Sequence, residues 1–185
     1  MTLSPKSIQQ GDRKLDIGEL VDGLELDGIL SADNANMTRS LVRKEDVQQK
    51  GALRVLGEKN WPHEKLPAQR INSSFLAGWL AEKLDMERFH IDPLKTDVGA
   101  VTAVMSYAYA QRFGVLPVVV TPSKIIVATA EPLHREWANE ISRVNNKDID
   151  YVMAAPEDIE RYALEFYNLS KSVKGAEEHH GGGVS

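Results

Sequence analysis

Apolar positions along the chain recur at two periods, and the switch between them marks out the elements. Ile17, Leu20, Val21 and Leu24 fall at helical spacing in IGELVDGLEL. Gly28 lies just past that run, where a helix C-terminus favours glycine. Ser31 then stands as the cap of a helix through SADNANMTRSLVRKEDVQQ. Between residues 50 and 70 the periodicity fades. Pro62 and Pro67 there argue for loop with one short turn. The pattern sharpens at NSSFLAGWLAEKL, where Asn72, Ser73 or Ser74 can cap a helix. Phe75, Leu76, Trp79, Leu80 and Leu84 share its apolar stripe. ERFHI reads as a short strand ended by Asp92-Pro93. Thr96 then caps a helix through TDVGAVTAVMSYAYAQRF, with Val101, Val104, Met105, Ala108 and Tyr109 on one face.

VLPVVVT and KIIVATA read as two strands joined around Pro122-Ser123. Pro122 suits the second position of a type I turn. Pro117 lacks an N–H and assigns its strand to a sheet edge. Pro132 opens a helix whose stripe is Leu133, Trp137 and Ile141. DIDYVMA is a further strand. Pro156 opens the last helix, with Glu157 and Asp158 favourably placed at its positive end. Ile159, Tyr162, Ala163, Phe166 and Leu169 face inward along it.

A hairpin inside an α–β alternation predicts an α+β fold. The expected sheet is small, mixed or mainly antiparallel, three- to four-stranded and packed with helices. An N-terminal helical region over residues 1–71 precedes this α/β unit over 72–172. The Gly-rich end GAEEHHGGGVS predicts a flexible linker over 173–185, leading toward a further domain.

Composition narrows the function. With 185 residues, 42% hydrophobic and 26% charged, a packed core is expected. The formal net charge of -5 argues against a nucleic-acid partner, which calls for a basic face. There are no cysteines, so disulfides, thiolate zinc sites and Cys nucleophiles are excluded. The polar start, MTLSPKSIQQGDRK, has no apolar signal region, and no apolar run suffices for a membrane span. A cytoplasmic location is expected.

The search for chemistry returns no constellation. A phosphate loop needs GxxxxGK followed by a hydroxyl. Gly57-Glu58-Lys59-Asn60 is the nearest fragment, without the upstream glycine and with Asn in place of the hydroxyl. No GxSxG elbow occurs. Of the five histidines, His63, His90, His134, His179 and His180, none pair at helical i, i+4 spacing, and no metal site is expected. His134 is expected on the exposed side of a first helical turn. Asp92-Pro93 and Glu131-Pro132 read as chain punctuation rather than as bases. Trp79 and Trp137 read as core, and Trp61 as a surface or interdomain residue. No catalytic residue is assigned, and the residues read as an interaction or regulatory module.

Four motifs stand in one order: IDPLKTD at 91–97, RFGVLPVVV, IIVATAEPL and PEDIERY. Together they resemble the N-terminal domain of type II secretion and type IV pilus assembly ATPases, the general secretion pathway protein E family. The resemblance covers residues 72–170. It implies a non-catalytic docking and regulatory domain ahead of a hexameric motor, with ATP and Mg bound by the parent chain and no cofactor in this part. It further implies docking to the cytoplasmic domain of an inner-membrane secretion or pilus protein, and a peripheral position at that membrane. Some relatives carry a cyclic di-GMP motif instead. DIGELVDGLELDGILSADNA echoes it in part, through Gly18, Leu20 and Gly28 as ligand-binding positions. Asp16 stands where that motif has Arg, and an acid there repels a dianionic ligand.

Overall fold

The computed structural model describes residues 3–4 and 11–181, with side chains to Glu177. Helix α1 (Ile17–Leu26) starts where Asp16 accepts a hydrogen bond from Gly18 N at 2.7 Å. It ends as predicted: Gly28 takes a φ of 70°, and Ile29 N bonds back to Leu24 O at 2.9 Å. Ser31 caps α2 (Ala32–Leu41) through Asn34 N.

The single helix expected beyond Ser31 is in fact two. The chain is extended at Val42 and Arg43, and α3 (Lys44–Lys50) restarts after them. Apart from Val47, the segment KEDVQQK offers no apolar face to keep α2 growing. The break redirects the chain so that α4 (Ala52–Lys59) packs between α1 and α5 (Ser73–Lys83). Helix α4 corrects the expected loop over 50–70. It buries Ala52, Leu53, Val55, Leu56 and Gly57, and Pro62 and Pro67 lie beyond its end at Asn60. At its crossing with α5, a Cβ on Gly57 would lie 2.4 Å from Ser73 Oγ and 2.6 Å from Ser73 N. Strands β1 (Trp61–Pro62) and β2 (Arg70–Ile71) then form a short antiparallel pair.

Asn72 caps α5 by accepting from Phe75 N. Leu76, Trp79, Leu80 and Leu84 are buried as predicted, and Phe75 is half-buried. Trp79 Nε1 donates to Asp27 Oδ2 at 2.9 Å, and Lys83 pairs with the same carboxylate at 2.8 Å. Those bonds, led by that from Lys83, hold the Asp27 carboxyl below its usual range and tie α1 to α5.

ERFHI forms no regular strand. Arg88 makes one parallel bridge with Met153, through Phe89 N to Met153 O and Met153 N to Glu87 O, both at 2.8 Å. The helix expected from Thr96 is also two. Asp97, not Thr96, caps α6 (Val98–Thr102), and Ser106 caps α7 (Tyr107–Phe113). The restart at Ser106 changes the buried face: Ala110 is buried and Ala108 exposed, the reverse of the uninterrupted stripe.

The hairpin is as expected. Strand β3 (Val115–Val120) pairs antiparallel with β4 (Lys124–Thr129) at the edge of a three-stranded sheet, with a register shift between Pro117 and Val119. Thr121 N to Lys124 O closes the Pro122-Ser123 turn. After β4, helix α8 (Ala138–Asn145) crosses over to β5 (Asp148–Met153), which runs parallel to β4. The sheet is therefore mixed. Pro132 opens a turn and not a helix, because its neighbours' carbonyls are already engaged. His134 N takes Glu131 O, and Arg13 N, from the N-terminal segment, takes Leu133 O. Helix α8 starts only after Trp137.

Helix α9 (Pro156–Gly181) buries Ile159, Ala163 and Phe166 against the sheet. Leu169 is 51% exposed, not inward, because the helix runs on past the body of the fold. Residues 173–181 of the expected linker are helical, and 182–185 lie outside the described residues. One continuous apolar core joins Leu20 and Leu24 of the helical region to Leu116, Val127 and Phe166. No described helix is long and apolar enough to cross a membrane.

Candidate functional site

The chain from Gly11 to Leu15 lies as a strap across the segment between β4 and α8. Three bonds hold it: Arg13 N to Leu133 O at 3.1 Å, Arg135 N to Asp12 Oδ1 at 2.8 Å and Leu15 N to Glu131 Oε2 at 2.8 Å. Beneath the strap is a cleft of about 460 Å³. Its walls come from both halves of the chain: Lys14 and the α3–α4 turn at Gly51 on one side, and Phe113, Glu131, His134 and Ile159 on the other. Leu53 and Ala163 add apolar surface.

Glu131 is the focus of the cleft. Oε2 accepts from Leu15 N. Oε1 points toward Gly51, where a Cβ would lie 3.2 Å away. Gly51 holds a φ of 85°, so glycine is needed there both for backbone and for space. Burial pushes the Glu131 carboxyl up to about 7, against the opposing pull of the Leu15 N–H and of Lys14. His134 lies on the same wall, 6.0 Å ring to ring from Phe113, and its Nε2 is buried without a hydrogen-bond partner. That overturns the expected exposed position. At the rim, Arg54 pairs with Glu160 and Glu157, and Lys50 with Glu58.

A pH dependence follows from Glu131. Below its ordinary value of 4.5 the carboxyl is protonated in both folded and unfolded chains. As pH rises, the unfolded chain loses the proton first, so this residue lowers stability progressively until about pH 7, and fully above it. Between pH 5 and pH 8 the loss is about 2 kcal/mol. Glu131→Gln keeps an acceptor for Leu15 N and removes this slope. Denaturant titrations of both proteins at the two pH values should show the variant gaining on the parent at the higher pH. An equal slope in both would contradict the assignment.

The other residues singled out from the sequence do not converge on this cleft. Gly18 and Leu20 lie in the first turn of α1, and Gly28 lies beyond its other end. The Gly18 N–H is engaged by Asp16, the Leu20 side chain is fully buried, and Gly28 lies against Lys65. Arg13 binds Glu19 through two bonds of 2.7 and 2.8 Å beside them. Asp92 accepts from Leu94 N, the turn role read for it. His63 Nδ1 accepts from Lys65 N and Leu66 N, and His90 is exposed. The side chains of His179 and His180 lie outside the described residues. Trp79 and Trp137 are core, and Trp61 is half-buried with Nε1 on Thr38 Oγ1 at 2.9 Å. Among the described residues no three His, Asp or Glu side chains gather to hold a metal. Glu131 and His134 were not legible as a pair: a Glu-Pro step after a strand carries only a turn signal.

Comparison with known proteins places the second half. The MshEN domain family model matches residues 84–173. The type IV pilus assembly ATPase TfpB of Acinetobacter baylyi (strain ATCC 33305 / BD413 / ADP1) is 38% identical over 99 residues. That match covers 53% of this chain and 17% of TfpB. Among solved structures, the N-terminal domain of XpsE shares the fold with a TM-score of 0.50 and 17% identity, over 84% of this chain and 99% of that one. The structure of MshE with cdg gives a TM-score of 0.47 at 13% identity, over 83% and 100% of the two chains.

Proposed function

Residues 84–173 belong to the MshEN domain family, the N-terminal domain of type II secretion and type IV pilus assembly ATPases, and from that premise we propose that this chain docks such a motor to its membrane assembly. The observation that carries the reading is the 38% identity to a type IV pilus assembly ATPase over 99 residues, which span 17% of that protein's length. Exposed apolar side chains on α2 support this reading. Met37 and Leu41, one turn apart on α2, are 46% and 57% exposed, as an apolar contact to a partner requires. The partner is the cytoplasmic domain of an inner-membrane secretion or pilus protein, which keeps the module peripheral at that membrane. ATP and Mg²⁺ belong to the parent motor, a hexamer, and not to this part.

Cyclic di-GMP binding is the competing reading. Its weak point is α1, where Asp16 sets a carboxylate on the Gly18 N–H that an anionic ligand would need. Co-purification of the chain with that cytoplasmic domain tests docking. The parent chain should retain the partner, Met37→Asp with Leu41→Asp should release it, and neither should turn over ATP. ATP turnover, or retention unaffected by the paired change along with every other exposed apolar change, would overturn the reading.

A further inference from the structure

The cleft under the strap is distinct from the exposed α2 face, and its chemistry is specific. Its volume of about 460 Å³ lies within the range of small-molecule pockets, about 300–1,000 Å³. Leu53, Phe113, Ile159 and Ala163 give it apolar walls. At the inner end, one Glu131 oxygen is bonded to Leu15 N, while the other faces the bare Cα of Gly51 and keeps acceptor capacity. Among the described residues Glu131 forms no ion pair, and the Leu15 N–H and the charge of Lys14 offset only part of the cost of its burial, an arrangement found where a ligand completes the set. His134 Nε2, on the same wall, makes no hydrogen bond, and its nearest carboxylate oxygen is Glu136 Oε1 at 3.9 Å.

The mouth carries the opposite charge. Lys50 and Arg54 are neutralised by Glu58 and Glu160. Lys14 and Arg112 are both exposed and form no ion pair among the described residues, although the charge of Lys14 acts on Glu131. Arg112 instead lies 5.1 Å from the Phe113 ring, a stack that leaves its guanidinium edge free to bind an acid. Lys14 comes from the strap, whereas Arg112 comes from α7. A ligand that reached both would clasp the two halves of the chain.

We propose that this cleft is a binding site for a small organic anion, with its apolar or aromatic body between Phe113 and Ile159, its acidic group at Lys14 and Arg112, and an N–H or O–H donor on Glu131. Occupancy fastens the strap and α3–α4 to the sheet.

Anilinonaphthalene sulfonate has this character: an aromatic body, one acid and one N–H. Its fluorescence should rise to saturation at one site per chain, and its presence should raise the unfolding temperature. Lys14→Glu with Arg112→Glu, two exposed positions, should weaken binding by more than about tenfold. Added salt should weaken it too. Circular dichroism and the unfolding midpoint of the variant confirm that it is folded. Absence of a saturable site, or affinity unchanged by the double substitution, would overturn the proposal.

Discussion

Replacing Trp137 with alanine should remove about 4 kcal/mol of stability and lower the unfolding midpoint by about 10 °C. The side chain is 2% exposed and meets the Tyr151 ring edge-on at 5.9 Å. Its Nε1 donates to His134 O at 3.1 Å, and its own carbonyl receives the Tyr109 hydroxyl at 3.1 Å. Arg135 lies 3.7 Å from the opposite partner of this stack, the Tyr151 ring. Truncation thus leaves a large cavity, and it strands the His134 carbonyl at the point where the chain passes from β4 to α8. Trp137→Phe retains most of the ring and loses the N–H bond, so it should cost about 2 kcal/mol. Both values come from denaturant unfolding. Equal losses in the two variants would mean that the hydrogen bond, and not the packing, dominates this position.

The second large effect has a sign that local preference gets wrong. Gly57 lies inside α4, and alanine at a helix interior is normally favourable by about 1 kcal/mol. Here Gly57→Ala should destabilise by about 3 kcal/mol. The new methyl would sit 2.4 Å from Ser73 Oγ and 2.6 Å from its backbone N, and the backbone cannot yield as a flexible side chain would. Helices α4 and α5 must separate, opening the contact that joins the N-terminal helices to the second half. Ser73 also donates to Glu157 of α9 at 2.8 Å, so three helices move together. Chemical unfolding decides the sign. A stabilised Gly57→Ala protein would show that the helices do not approach this closely.

Gly57 also marks how far the sequence could be read. In isolation, Gly57-Glu58-Lys59-Asn60 is only the nearest fragment to a phosphate loop and not a match; in the fold it is the end of a helix whose glycine permits a close crossing. The second half was legible because its signals are redundant. Asn72 caps α5, Pro117 falls on the edge strand, Pro122 turns the hairpin and Pro156 opens α9, each doing what its covalent geometry dictates. Helix α4 was hidden because two prolines beyond its end coloured the whole window, although Leu53 and Leu56 already shared a face. The breaks at Val42–Arg43 and before Ser106 lie within stretches of continuous helical propensity, and tertiary packing fixed them. Pro132 failed as a helix start because the strap, more than a hundred residues earlier, takes the Leu133 carbonyl.

The cleft was illegible for the same reason. Lys14, Gly51, Glu131 and His134 lie far apart in sequence and carry no spacing pattern. Only the fold sets the strap over the β4–α8 segment and leaves a carboxylate with its second oxygen facing a glycine. The family resemblance, by contrast, rested on local motifs whose roles are structural. Asp92, Pro117 and Pro156, each inside one of those motifs, identify the module because they build it.

Docking is the central claim, and calorimetry tests it most directly. The purified chain would be titrated with the cytoplasmic domain of the inner-membrane protein from its own assembly, and separately with cyclic di-GMP. The account predicts one-to-one binding of the protein at micromolar affinity or tighter, and no heat from the dinucleotide. Silence from the protein partner, or dinucleotide binding that disappears when the Gly18–Leu20 segment is changed, would contradict it.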